Sequence, residues 1–176
     1  MTTTANARAV GLAHIRIDMQ QNYFELFQLP VSFDVDTDDL ASRHRAIIAR
    51  VHPDQFANKS AMEQRVALQW ATFANEAFDT LKSPIARAQY LLKLNAPELA
   101  VEGARVNLPH EFLMQQMQWR EALEEGDVVG VLAEVKQIQM DNQVQLRNSC
   151  DEQDWTKLQI VLAQAQFIEN FIAQLK

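Results

Sequence analysis

Residues 36–82 read DTDDLASRHRAIIARVHPDQFANKSAMEQRVALQWATFANEAFDTLK, and their spacing predicts two long helices joined at a proline-broken corner. Asp36 or Thr37 can cap the first helix, with Asp38 and Asp39 against the positive end of its dipole. Leu40, Ile47, Ile48 and Val51 recur at helical steps. Pro53 ends that run, because the residue before a proline is pushed out of the helical region. After a loop from Asp54 to Ser60, a second helix is expected from about Ala61 to Lys82. Its buried stripe is Val66, Trp70, Phe73, Ala77 and Leu81. Long helices joined by so short a loop pack antiparallel.

Upstream, Tyr23, Phe24, Leu26, Phe27 and Leu29 form a brief helix that Pro30 should stop. Downstream, Ser83–Pro84 looks like a cap followed by a first-turn proline; that helix runs through Tyr90, Leu91 and Leu92 and fades near Asn95. Residues 97–108 are the weakest stretch for regular structure, so the domain junction belongs there. Helices are expected beyond it at Pro109–Glu125, Asp127–Asn148 and Asp151–Leu175, separated by Gly126 and the Ser149–Asp151 region. Connections this short favour an up-down-up three-helix bundle. The expected organisation is all-α: a disordered tail over 1–20, a hairpin-bearing domain over 21–96, the junction over 97–108 and the bundle over 109–176.

The bulk numbers agree with helices. Of 176 residues, 48% are hydrophobic, but only 4 are Gly and 5 are Pro, too little turn chemistry for a many-stranded sheet. A net charge of -7 argues against a nucleic-acid partner, which needs clustered Lys and Arg. Cys150 stands alone, so it forms no internal disulfide or paired-cysteine metal site, which fits a reducing compartment. No run approaches the roughly eighteen apolar residues that span a bilayer, so no membrane partner is expected. The first twenty residues carry Arg8 and Arg16 without the apolar core of a secretory signal; a short transit peptide is the alternative to the disordered tail expected there. A cytoplasmic location is the expectation.

His52–Pro53–Asp54 occupies the corner between the two helices. Pro53 fixes its own backbone angle and restrains His52, so an imidazole and a carboxylate project together from a stiff loop. A partner with matching charges reads such a set at little ordering cost. The other reading is a plain helix stop in which Asp54 merely caps the next segment. On the helix leading in, Arg43 and Arg50 are seven residues apart and lie within about 20° of each other on the cylinder. That basic flank, with Arg45 elsewhere on the helix, is either a docking face for an acidic partner or an ordinary solvated surface.

The helix from Pro109 carries more apolar residues than one stripe uses. Phe112, Trp119 and Leu123 fall together with Gln116 among them; Leu113, Met114 and Met117 lie about 90° or more around. Glu121 and Glu125 extend this second face as an acidic rim. The last helix repeats the pattern, with Leu158, Val161, Leu162, Ala165, Ile168 and Ile172 on one side and Ile160, Phe167 and Phe171 nearly opposite. The extra face packs on the first domain or a second copy, or it is an exposed patch for a protein partner, for which methionines are well suited.

Signatures of an enzyme are missing. His14, His44, His52 and His110 form no metal-ligand spacing, and there is no Walker-type loop, GxGxxG or GxSxG. Cys150 sits beside Asp151 and Glu152, which disfavour a thiolate nucleophile. No catalytic residue, metal or cofactor is expected.

NYFELFQLP, the basic helix, VHPDQF, NEAFDTL and SPIARAQYLL together resemble a J domain, and are most similar to the HscB-type (Jac-type) co-chaperones of iron–sulfur cluster assembly. The order of features runs from Gln21 to Lys176. The resemblance implies a J domain followed by a C-terminal bundle, acting as a non-catalytic co-chaperone. It implies that His52, Pro53, Asp54, Arg43 and Arg50 engage a 70-kDa heat-shock-type ATPase chaperone (HscA-like) and stimulate its hydrolysis. It further implies that Leu113, Met114, Met117, Glu121, Glu125 and Phe167 bind an iron–sulfur scaffold protein (IscU-like). Two positions depart from the pattern: Gln55 replaces a lysine common after the tripeptide, and Gln118 stands where some relatives have an acid. The paired cysteines of longer family members are absent.

Overall fold

The computed structural model describes residues 21–101 and 106–175. The tail expected over 1–20 and residues 102–105 of the expected junction lie outside them. Seven α-helices are described: α1 (Tyr23–Leu26), α2 (Thr37–Val51), α3 (Ala61–Lys82), α4 (Pro84–Asn95), α5 (His110–Glu124), α6 (Val128–Asp151) and α7 (Trp155–Gln174). Among the described residues there is no strand.

The starts follow local chemistry. The Asp36 carboxylate accepts from the Asp38 and Asp39 N–H groups and opens α2. Ser60 and Glu63 form a reciprocal capping box at α3, as Asn22 and Glu25 do at α1. Ser83 caps α4, with Pro84 in its first turn.

Three helix ends share one closure, in which a residue with positive φ reverses the chain and two backbone bonds cover the last carbonyls. At α5 it is Gly126, with φ 92°; Asp127 N–H donates to Ala122 O at 2.9 Å. At α1 and α6 glutamines do the same, Gln28 at φ 54° and Gln153 at φ 56°. Leu29 N–H then donates to Phe24 O at 2.8 Å, and Asp154 N–H to Ser149 O at 2.9 Å. Pro30 therefore comes after the stop of α1 instead of causing it. The Ser149–Asp151 connection expected in the sequence is helical; the turn comes at Glu152–Asp154 instead, and Asp154 caps α7 by accepting from Lys157 N–H.

Helices α6 and α7 form a long hairpin with two separate cores along it. Leu146, Cys150, Leu158, Val161, Leu162 and Ala165, at the end where α6 finishes and α7 begins, join Phe24, Leu40, Leu81 and Leu91 in the larger core. Val131, Val135, Ile168 and Phe171, at the other end, enclose Phe112 and Trp119 of α5 in the smaller one. Helix α7 is thus divided along its length: Leu158 to Ala165 meet the N-terminal helices, while Ile168 and Phe171, from the two different stripes expected in the sequence, lie together beneath α5. Trp119 is fixed further by Glu134 of α6, whose two carboxylate oxygens accept from Trp119 Nε1 at 3.0 Å and Gln115 Nε2 at 2.8 Å.

Candidate functional site

The corner between α2 and α3 is built from the inside out. Phe56 is buried and anchors a short 3-10 turn, Pro53–Phe56. Gln64 on α3 donates from Nε2 to the carbonyls of Ala57 and Lys59, at 3.2 and 3.1 Å, and holds the rest of the loop. His52 stands before the turn in extended backbone, and its carbonyl accepts from Gln55 N–H at 2.9 Å. Its Nδ1 accepts from Asp54 N–H at 3.3 Å. In a neutral imidazole that bond leaves the proton on Nε2, the nitrogen facing away from the turn. The Asp54 carboxylate lies 3.5 Å from His52 Nδ1, and the His52 and Asp54 side chains are 50% and 90% exposed. Imidazole and carboxylate are thus presented together on a braced tip, open to solvent.

The two arginines expected to flank this tip differ. Arg50 is exposed near the end of α2. Arg43 is half-buried and occupied: Nη1 donates to the carbonyls of Phe27 and Gln28, at 2.8 and 2.9 Å, and Nε to Asp39 at 2.9 Å. It is a lid on the C-terminal end of α1, where a cation meets the negative pole of the helix. His44, between them, stacks on Phe78 at 4.3 Å and meets Asn75 Oδ1 at 2.9 Å, so it belongs to the hairpin seam.

On α5, Leu113, Met114 and Met117 are 43%, 43% and 55% exposed, and Glu121 and Glu125 are exposed beyond them. The face opposite the Phe112–Trp119 stripe is open. Phe167 is placed differently: it is half-buried, edge-on to Phe112 at 5.7 Å and stacked on Phe171 at 5.8 Å. It supports the α5 packing more than it extends the open face.

Cys150 is buried, and burial, assisted by Asp151, pushes its thiol up to about 12. The carboxylate effect expected in the sequence is present but second to desolvation. Among the described residues no group of three or more His, Cys, Asp or Glu side chains could hold a metal ion. No described helix is long and apolar enough to cross a membrane. Gln64, Glu134 and the Arg43 lid are positioning groups that the sequence reading missed; a polar residue at a helix-facing position is their only local signal.

Comparison with known proteins gives these surfaces a family. Residues 108–176 match the model of the HSCB C-terminal oligomerisation domain. A co-chaperone protein HscB homolog from Azoarcus sp. is 43% identical over 124 residues, 70% of this chain and 70% of that one. Its counterpart from Mannheimia succiniciproducens is 35% identical across 88% of this chain and 94% of its own. The solved chaperone HscB from Vibrio cholerae superposes with a TM-score of 0.74 at 34% identity, covering 88% of this chain and 95% of that chain. With this match spanning the hairpin, the exposed tip and the bundle alike, the chain belongs to the HscB family of co-chaperones, an all-α J domain followed by a helical C-terminal domain.

Proposed function

We propose that this chain stimulates the ATPase of an HscA-like chaperone through residues 21–96 and brings it an IscU-like iron–sulfur scaffold protein through residues 109–176. The observation that carries the reading is the braced, exposed His52–Pro53–Asp54 tip, whose imidazole and carboxylate need no rearrangement to meet a partner. Arg50 supplies positive charge beside it, and Arg43 contributes by holding α1 against α2. Gln55 leaves that field weaker than a lysine would, so docking depends more on the tripeptide itself. Leu113, Met114 and Met117 supply the apolar centre of the scaffold surface, with Glu121 and Glu125 as its rim and Phe167 as support beneath. The chain performs no chemistry of its own and works in the cytoplasm.

Steady-state ATP hydrolysis by the purified chaperone, with and without this protein, tests the first half. His52→Gln should lose stimulation while the protein stays folded; stimulation equal to wild type would remove the mechanism. Titration of scaffold protein against Leu113→Ser/Met117→Ser/Phe167→Ser tests the second half, and unchanged affinity in a folded variant would move the site elsewhere. The family matched over 108–176 is described as an oligomerisation domain, which favours one second reading for the same open face: contact with another copy of this chain. Sedimentation of the wild type and the triple variant separates the two.

A further inference from the structure

Where α4 begins beside α6, a cavity of about 260 Å³ opens between the J domain and the bundle, walled by Phe33, Asp34, Pro84, Arg87, Val144 and Arg147 among others. Arg87 is 5% exposed, a rare state for a guanidinium. Its carbon lies over the Phe33 ring at 5.1 Å, and its Nε is buried without a hydrogen-bond partner. Among the described residues no carboxylate pairs with it; the nearby Asp34 is held on Arg147 at 2.7 Å. Two guanidiniums and one carboxylate leave one positive charge in excess on the cavity wall. Desolvation pulls the proton affinity of Arg87 down, and Asp34 only partly opposes it. A ring contact offsets part of the desolvation of a buried cation, but it satisfies no N–H. The α4 N-terminus, where Pro84 lines the cavity, adds the positive pole of a helix dipole to the same space.

We infer that this cavity binds a small free oxyanion, of the size and charge of inorganic phosphate, between Arg87 of α4 and Arg147 of α6. Its oxygens accept from the Nη–H groups of Arg87, the end of the guanidinium that is not sealed off as Nε is, and compete with Asp34 for Arg147, whose side chain is exposed enough to turn. The bound ion ties the first turn of α4 to α6 and neutralises the charge that the fold leaves uncompensated.

The test is a titration of the full chain with inorganic phosphate against chloride at matched ionic strength, followed through the Arg87 Nε–H resonance. Phosphate should shift that resonance saturably and chloride should not. Asp34→Asn, which frees Arg147, should tighten binding about tenfold, and Arg147→Met should weaken it about tenfold. Arg87→Met should abolish it; if that variant does not fold, the two surface variants carry the test. Equal responses to phosphate and chloride, or Asp34→Asn binding no tighter than wild type, would overturn the inference.

Discussion

Replacing Arg43 with methionine keeps the aliphatic stem and removes the guanidinium that closes α1. Three interactions disappear: the bonds to the Phe27 and Gln28 carbonyls and the pair with Asp39 one turn earlier on α2. A hydrogen bond from a charged donor contributes ~1.5–3 kcal/mol when buried. The Arg43 side chain is 38% exposed, so water takes over part of each bond when it is lost. About 1 kcal/mol per carbonyl is the discounted figure, and the exposed pair on α2 adds at most ~0.5 kcal/mol. The expected loss is therefore about 2 kcal/mol. With a urea slope of about 2 kcal/mol/M for a chain of this size, the unfolding midpoint should fall by about 1 M. Arg50→Met, exposed on the same helix, should stay within about 0.5 kcal/mol of wild type. Urea unfolding followed by tryptophan fluorescence measures both. If Arg43→Met unfolds together with Arg50→Met, the lid is not a support, and any loss of chaperone stimulation in that variant belongs to docking alone.

Gln153→Gly should raise stability by about 1 kcal/mol, because the glutamine sits in left-handed backbone that glycine adopts without strain; thermal unfolding reads this directly. Trp119→Phe removes the donor to Glu134 and should cost about 1–3 kcal/mol, seen as a lower urea midpoint. The Cys150 thiol titrates higher in the folded chain than its ordinary 9.0, so its contribution is fully present below about 9 and is lost as pH rises towards about 12. Stability should decline across that alkaline window, less steeply in Cys150→Ala, and thiol reagents at neutral pH should react only as the chain unfolds. Met114→Ser and Met117→Ser should each change stability by less than about 0.5 kcal/mol, being exposed; a larger loss in denaturation would mean that this face is packed.

Helices announced by caps and prolines were legible from residue order alone. Asp36 and Ser83–Pro84 each sit at an observed start, since a side-chain oxygen facing free N–H groups is a purely local event; Ser60, expected only as the end of a loop, caps α3 in the same way. Gly126 marked its turn for the same kind of reason. Gln153 did not, because a glutamine carries no sign that tertiary packing will hold it at positive φ; α6 therefore runs past the point where the sequence suggested it would end. The exposed corner could be read because proline restrains the residues on either side of it. The occupation of Arg43 could not, since its partners are backbone carbonyls sixteen and fifteen residues earlier. Nor could the division of α7 between two cores. Its apolar residues were visible, but where along the helix one core gives way to the other depends on how α4 and α5 reach it, and no local pattern records that.

One helical pair underlies both cores, so the molecule has a fixed reach. Whatever grips the corner and whatever rests on α5 are carried on one beam, at a spacing measured in helical rise, about 1.5 Å for each residue, and not by the random walk of a tether. A device of that kind can be re-gauged: two extra turns inserted in step into α6 and α7 would lengthen the beam by about 11 Å and leave both ends intact. Activity that falls with length in such a series, while each end still binds, would identify distance itself as a quantity the protein delivers.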